Sequence, residues 1–231
     1  MRQLLLNLLP DPIPTRENFV SGPNGEALAA LGYWLECSEP DTGFYLWGAG
    51  GSGKTHLLRA SGLDYFDGAE DPNLDTLALP ESDLPHLPAD GIAVDNVHRL
   101  GESGQHQLFN AFNRLRADGK RLLTAGPVAP QFISLREDLR NRLGYGLVYS
   151  LKPLSDTEKF EALALMASER QLIPSNDIIP YLIRHTPRDM GSLTTLLLAL
   201  DYYSLEQQRP ITLPLLREVL QSSLEFSELE T

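Results

Sequence analysis

The chain has 231 residues, of which 42% are hydrophobic and 22% charged, ordinary globular values that exclude wholesale disorder. Lys and Arg number 19 against 31 Asp and Glu, a formal net charge of −12 that argues against direct binding to a phosphate backbone. A lone cysteine, Cys37, excludes an intrachain disulfide, and no apolar run approaches the ~18 residues of a membrane span, so the sequence reads as a soluble, cytoplasmic protein.

Residues 1–15 read as a tail and linker. The opening Met1-Arg2-Gln3-Leu4-Leu5-Leu6-Asn7-Leu8-Leu9 is too short and too interrupted by Asn7 for a signal peptide, and no small-residue cleavage site follows. Pro10-Asp11-Pro12-Ile13-Pro14 is stiff and extended. From residue 16 to 152 strand-like and helix-like patterns alternate. Phe44-Tyr45-Leu46-Trp47 reads as a strand, followed by a Gly-rich turn and a helix through His56-Leu57-Leu58-Arg59. Further strands are expected at Leu77-Ala78-Leu79, Gly91–Asp95, Arg121–Ala125 and Val148–Leu151, with Leu108, Phe112 and Leu115 at helical spacing between them. Such alternation predicts an α/β fold, a parallel sheet flanked by helices.

Residues 153–231 read as a small all-helical domain. Ser155-Asp156-Thr157-Glu158 is a capping box that opens a helix expected to carry Phe160, Leu163 and Ala167 on one face. Leu193, Leu196, Leu197 and Leu200 mark a second helix, and Thr212-Leu213-Pro214 starts a last one. Charge is uneven in the middle of the chain. From Ala60 to His98 there are nine acids and no Lys or Arg, whereas Arg99 to Arg142 holds eight Lys or Arg against four acids. Solvated surface explains this simply; a docking face of split polarity is the sharper reading.

Gly48-Ala49-Gly50-Gly51-Ser52-Gly53-Lys54-Thr55 fits G-x-x-x-x-G-K-[ST] in full, between an apolar strand and a helix. Glycines let the backbone curl so that successive N–H groups converge on phosphate oxygens, Lys54 reaches the terminal phosphates, and the Thr55 hydroxyl suits Mg²⁺. Ile92-Ala93-Val94-Asp95 supplies the second strand that a P-loop requires, ending in a metal-organising aspartate. The next residue is Asn96, where many P-loop ATPases place a glutamate. A carboxamide orients water but cannot take its proton, so the expectation is nucleotide binding with weak intrinsic hydrolysis at most.

These motifs, with the helical third zone, resemble the AAA+ module of the bacterial DnaA family, and within it the Hda family of DnaA-related regulatory inactivators. Asn18-Phe19-Val20-Ser21-Gly22, Gly43–Gly48, Thr55-His56-Leu57-Leu58, Phe109–Arg114, Asp118-Gly119-Lys120, Leu139–Gly146 and Leu151–Asp156 carry the likeness along nearly the whole chain. The resemblance implies an AAA+ P-loop sheet with a helical lid, binding ADP or ATP with Mg²⁺. It places Phe19, Val20, Gly48, Gly50, Gly51, Ser52, Gly53, Lys54, Thr55, His56, Asp95, Asn96 and Arg188 around the nucleotide, with Thr55 and Asp95 at the metal. Arg142 falls where the family carries an arginine finger for a neighbouring subunit's nucleotide. Gln3-Leu4-Leu5-Leu6-Asn7-Leu8 is similar to the Q-L-x-L-x-L peptide that binds the β sliding clamp of DNA polymerase III, which makes Gln3, Leu4, Leu6 and Leu8 the clamp contacts.

The chain departs from the family pattern at two places. Gly191 stands where the lid usually has an arginine that senses the nucleotide, with Arg188 one turn earlier as a candidate substitute. After Leu123 the only polar candidate to sense the phosphate is Thr124. The DNA-binding domain of the initiator has no counterpart in the acidic Glu225–Thr231 end, so DNA is expected as an indirect partner through the clamp. The implied function is an adaptor that joins the DNA-loaded clamp to DnaA and stimulates hydrolysis of DnaA-bound ATP, restraining replication initiation. Its rivals are a self-sufficient ATPase of helicase-loader type and a passive DnaA-like interaction module. Self-association is left open by the sequence.

Overall fold

The computed structural model describes residues 13–77, 90–186 and 189–218. One compact unit is Pro14–Pro153; a second is formed by the helices that follow it. In the first unit the elements are α1 (Gly25–Glu36), β1 (Gly43–Trp47), α2 (Lys54–Arg59), β2 (Asp64–Asp67), β3 (Gly91–Asp95), α3 (Glu102–Ala117), β4 (Arg121–Gly126), α4 (Glu137–Leu143) and β5 (Leu147–Ser150). The five strands form one parallel sheet in the order β2-β3-β4-β1-β5.

Strand alternation divides the apolar side chains between two helical layers. Phe44, Leu46, Ala93, Leu123 and Ala125 pack with Ala27, Leu31 and Trp34 of α1 and Leu57 and Leu58 of α2. Tyr45, Ile92, Val94 and Leu122 face the other way, onto Leu108, Ala111, Phe112 and Leu115 of α3 and Leu139 and Leu143 of α4. Buried Asn24, ahead of α1, brackets the exit from β5: its Nδ2 donates to the Lys152 carbonyl and its Oδ1 accepts from the Lys152 N–H, both at 2.8 Å.

The expected strand at Leu77–Leu79 is not found. Leu77 closes a short 3-10 turn, Asp75–Leu77, and residues 78 and 79 lie outside the described residues. The second strand is instead Asp64–Asp67, paired with β3. Only two apolar residues stand between its aspartates. A sheet edge tolerates that polarity where an interior strand would not.

The second unit holds α5 (Asp156–Glu169), α6 (Ile178–His185), α7 (Met190–Gln207) and a helix over residues 213–218. The capping box at Ser155 forms in both directions: its Oγ accepts from Glu158 N at 3.2 Å, and Glu158 Oε2 accepts from Ser155 N at 2.8 Å. Leu163, Leu182, Leu193, Leu197 and Leu200 are fully buried in its core. Phe160, expected on the buried face of α5, is 41% exposed. The buried stripe runs Lys159, Leu163, Ala167 at a spacing of four, which leaves Phe160 one step around the helix. Among the described residues no helix is long and apolar enough to cross a membrane.

Candidate nucleotide site

The Gly48–Thr55 turn leaves the carboxyl end of β1 and enters α2. Two glycines are demanded by close packing as well as by backbone shape. At Gly48 (φ 154°) a Cβ would collide with the Leu151 carbonyl oxygen; at Gly53 (φ 93°) it would lie 2.5 Å from Phe19 Cε2. Gly51 also has positive φ, 74°, whereas Gly50 has open space around it. Ser52 is buried, with its N–H on the Ala49 carbonyl at 3.3 Å.

Lys54 Nζ lies over the turn, donating to the carbonyls of Gly48 at 2.8 Å and Ala49 at 2.9 Å, with Ser52 Oγ at 3.4 Å. Burial lowers its pKa, and the nearby Asp95 charge opposes that shift. Thr55 Oγ1 donates to Asp95 Oδ2 at 2.6 Å, joining α2 to the end of β3. Asp95 is 1% exposed, and its Oδ1 accepts the Asn96 N–H at 2.7 Å.

The preceding segment lies beside the turn. The Phe19 ring is 5.5 Å from the His56 ring, and His56 Nε2 meets the Thr15 carbonyl at 2.8 Å. A carbonyl only accepts, so the proton on this ring belongs to Nε2. Val20 is half-buried in the same segment. The structure thus brings together Phe19, the Gly48–Thr55 turn, His56, Asp95 and Asn96. Gln3, Leu4, Leu6, Leu8 and Arg188 lie outside the described residues.

Thr124 is not part of this group. It is buried, pairs in register with Val94 and Tyr45, and shares their side of the sheet, whereas Asp95 lies on the Ala93 side with α2. Its hydroxyl is 3.4 Å from the Phe44 carbonyl.

Three residues near the site escape sequence reasoning. Asp67 ends β2 directly across from Asp95, and the Tyr65 hydroxyl is 3.3 Å from Oδ2 of each of these aspartates. The Tyr65 phenol is pushed well above its usual range by burial first and by the two carboxylates second. Farther along, His98 Nδ1 is the single buried side-chain N or O atom without a partner among the described residues. A register of β2 against β3 would have found Asp67, but the weak apolar signal of β2 hid it.

The donor set fits an adenine nucleotide with Mg²⁺. Glycines at 48, 51 and 53 give the turn its positive-φ curl, Lys54 and the loop amides suit phosphate, and a hydroxyl beside a carboxylate is a hard oxygen pair. Phe19 and His56 offer an aromatic wall for a base.

Arg142 is placed elsewhere. Near the end of α4, its guanidinium carbon is 5.8 Å from the Phe109 ring centre and 5.7 Å from that of Phe112. Phe112 abuts Gly43, the first residue of β1, as does Gly146. The arginine therefore belongs to the amino end of β1. The phosphate turn leaves the carboxyl end, roughly 13 Å away at about 3.3 Å per residue.

Residues 156–220 match the family model of the Hda lid domain. The chain is similar in structure to domain III of the replication initiation protein DnaA from Thermotoga maritima, at TM-score 0.73 and 23% identity, over 91% of this chain and 96% of that one. The chain thus has the AAA+ fold seen in domain III of DnaA, and its helices after Pro153 match the lid of the Hda family. AMPPCP-bound DnaA from Aquifex aeolicus is similar at TM-score 0.63 and 22% identity, over 84% of this chain and 67% of that one. A RuvB variant from Thermotoga maritima is similar at TM-score 0.60 and 17% identity, over 91% and 72%. The likeness to RuvB shows the shared AAA+ fold: a parallel P-loop sheet flanked by helices, with a helical lid. The family match falls on the helical unit that follows Pro153 and includes Gly191.

Proposed function

We propose that this protein is an Hda-type adaptor in the control of replication initiation, one that supplies Arg142 to ATP held by DnaA. The placement of Arg142 carries the reading. It stands at the end of the sheet opposite its own phosphate turn, on two aromatic faces, with no carboxylate partner among the described residues. An arginine so placed serves a nucleotide on another molecule. By contrast, Arg136 on the same stretch is held by Asp138 at 2.8 Å and by His106, and has no such freedom.

In this reading the Gly48–Thr55 turn, Lys54 and the Phe19–His56 wall bind ADP or ATP, while Thr55 and Asp95 hold Mg²⁺ by oxygen. Bound Mg²⁺ would neutralise phosphate charge and orient the phosphate tail. Asn96 cannot take a proton from water, so the nucleotide of this chain acts chiefly as a structural ligand. The tail residues Gln3, Leu4, Leu6 and Leu8 bind the β sliding clamp as an extended peptide with leucines for apolar pockets. DNA is reached through the clamp.

The test is ATP hydrolysis on preloaded ATP–DnaA with clamp loaded on DNA, with and without this protein. Stimulation that needs every component supports the adaptor. Turnover by this chain without DnaA would establish the self-sufficient ATPase instead, and binding without stimulation the passive module.

A further inference from the structure

Asp67 is bonded on both oxygens. Its Oδ1 accepts from Ala69 N at 2.8 Å and from Asn96 Nδ2 at 2.9 Å, while its Oδ2 shares the Tyr65 hydroxyl with Asp95. Asn96 itself is in the left-handed region, φ 50° and ψ 39°, with its backbone N–H on Asp95 Oδ1. Asp67 therefore holds the side chain that follows Asp95, and Tyr65 ties the two aspartates together.

A carboxamide has a donor end and an acceptor end, and a carboxylate beside it can only accept. The Asp67 contact thus decides which way Asn96 faces: one of the two Nδ2 hydrogens is held by β2, and the amide oxygen is turned to the side away from Asp67. A carboxamide free to turn could present its N–H₂ to phosphate oxygens. One held by Asp67 presents an acceptor, which repels them.

We propose that Asp67 is a positioning residue that sets the nucleotide preference of the site: by holding Asn96 Nδ2, it turns an acceptor toward the phosphate end and weights binding toward the diphosphate over the triphosphate. This rests on the nucleotide-binding reading above. Asp67 acts through Asn96 rather than by touching nucleotide or metal, and its own charge is not what matters.

The experiment compares ADP with the non-hydrolysable triphosphate AMPPCP by calorimetry, in excess Mg²⁺, on the full-length chain. In Asp67→Ala the ratio of AMPPCP to ADP affinity rises about tenfold, the scale of one hydrogen bond to a charged group. Asp67→Asn keeps an oxygen for the same two N–H groups, so its ratio stays within about twofold of the parent. Asn96→Gly suits the left-handed backbone and leaves β2 untouched. It removes the acceptor, shifts the ratio in the same direction, and makes a further Asp67→Ala change silent, since the effect travels through the carboxamide.

Any of four results overturns the proposal while the parent still binds both nucleotides: an unchanged ratio in Asp67→Ala, equal weakening of both nucleotides, Asp67→Asn behaving as Asp67→Ala, or an Asp67→Ala effect that survives in Asn96→Gly. A parent chain that binds neither nucleotide overturns the nucleotide reading itself, and this proposal with it.

Discussion

At the carboxyl end of β1 the candidate phosphate site is tied together by its own hydrogen bonds. Lys54 sits on loop carbonyls, Thr55 on Asp95, and Asn96 on Asp67. At the amino end Arg142 rests on the Phe109 and Phe112 rings and has no carboxylate partner among the described residues. A site meant to hold its own ligand gains from preorganised polar groups, because little reorganisation is needed on binding. A group meant for another molecule must keep its hydrogen-bonding capacity unspent, and a ring face positions a guanidinium without using its N–H donors. In the proposed function the two ends of one strand serve different recipients.

The comparison breaks most visibly at Arg142. Arg142→Ala is expected to lower stimulated hydrolysis of DnaA-bound ATP by about a thousandfold, the lower range for arginine fingers, while nucleotide affinity of this chain stays unchanged. Arg142→Lys should recover little, since a point charge does not reproduce a planar fork. Steady-state phosphate release and a nucleotide titration on the same samples check both halves. If the nucleotide affinity of the chain fell in step with the stimulation, the two ends would not be separate.

Lys54→Ala gives the converse result. Its ammonium is the one flexible cation on the phosphate turn, so nucleotide binding should weaken by two orders of magnitude or so, about 3 kcal/mol by the affinity scale. The melting temperature without nucleotide should stay within a few degrees, and the rise expected for the parent on adding ADP should vanish. Differential scanning fluorimetry with and without ADP reads both effects. A large loss of melting temperature in the ligand-free protein would mean that Lys54 serves the fold through the Gly48 and Ala49 carbonyls rather than a ligand.

How much of this was legible from residues alone depended on how local each signal is. The Gly48–Thr55 turn and the box at Ser155–Glu158 are written in contiguous residues, and both form as their spacing requires. The interior strands are apolar enough to stand out. β2 is not, because an edge strand needs few apolar residues and Asp64 and Asp67 break the pattern. With β2 missed, Asp67 and Tyr65 were invisible, since their place beside Asp95 exists only through strand register. Thr124 shows the same limit from the other side: its type suited a phosphate sensor, but alternation along β4 turns it away from Asp95. Phe160 lies at an apolar spacing of three from Leu163, but the buried stripe runs at a spacing of four from Lys159 and leaves it outside.

A smaller effect tests the lid by itself. Ser155→Ala removes the side-chain half of the cap on α5 and should cost about 1 kcal/mol of lid stability. Because the cap lies far along the chain from Gly48–Thr55, nucleotide affinity should hold if lid folding and phosphate binding are independent. Urea unfolding followed by circular dichroism, beside an ADP titration, separates the two.

The smallest effect comes from His98, where the phosphate end gives up stability. Burial lowers the pKa of this imidazole, and Arg99 and Lys54 lower it further, against the opposing pull of Asp95 and Asp67. The folded state therefore binds its proton less readily than the unfolded chain does. The consequence has one sign: above the unfolded value, about 6.5, His98 is neutral in both states and contributes no pH dependence. As pH falls below that value the unfolded chain takes up the proton first, and stability declines until the folded pKa is passed. His98→Gln keeps a polar side chain without the titration and should flatten that part of the acid limb. Urea midpoints measured at half-unit steps from pH 7.5 to pH 5 would show it as a shallower slope than in the parent. An identical slope would mean that the orphaned Nδ1 finds a partner in solution. In that case no buried side-chain N or O atom among the described residues would be left without a partner, and the contrast with the Arg142 end would be sharper still.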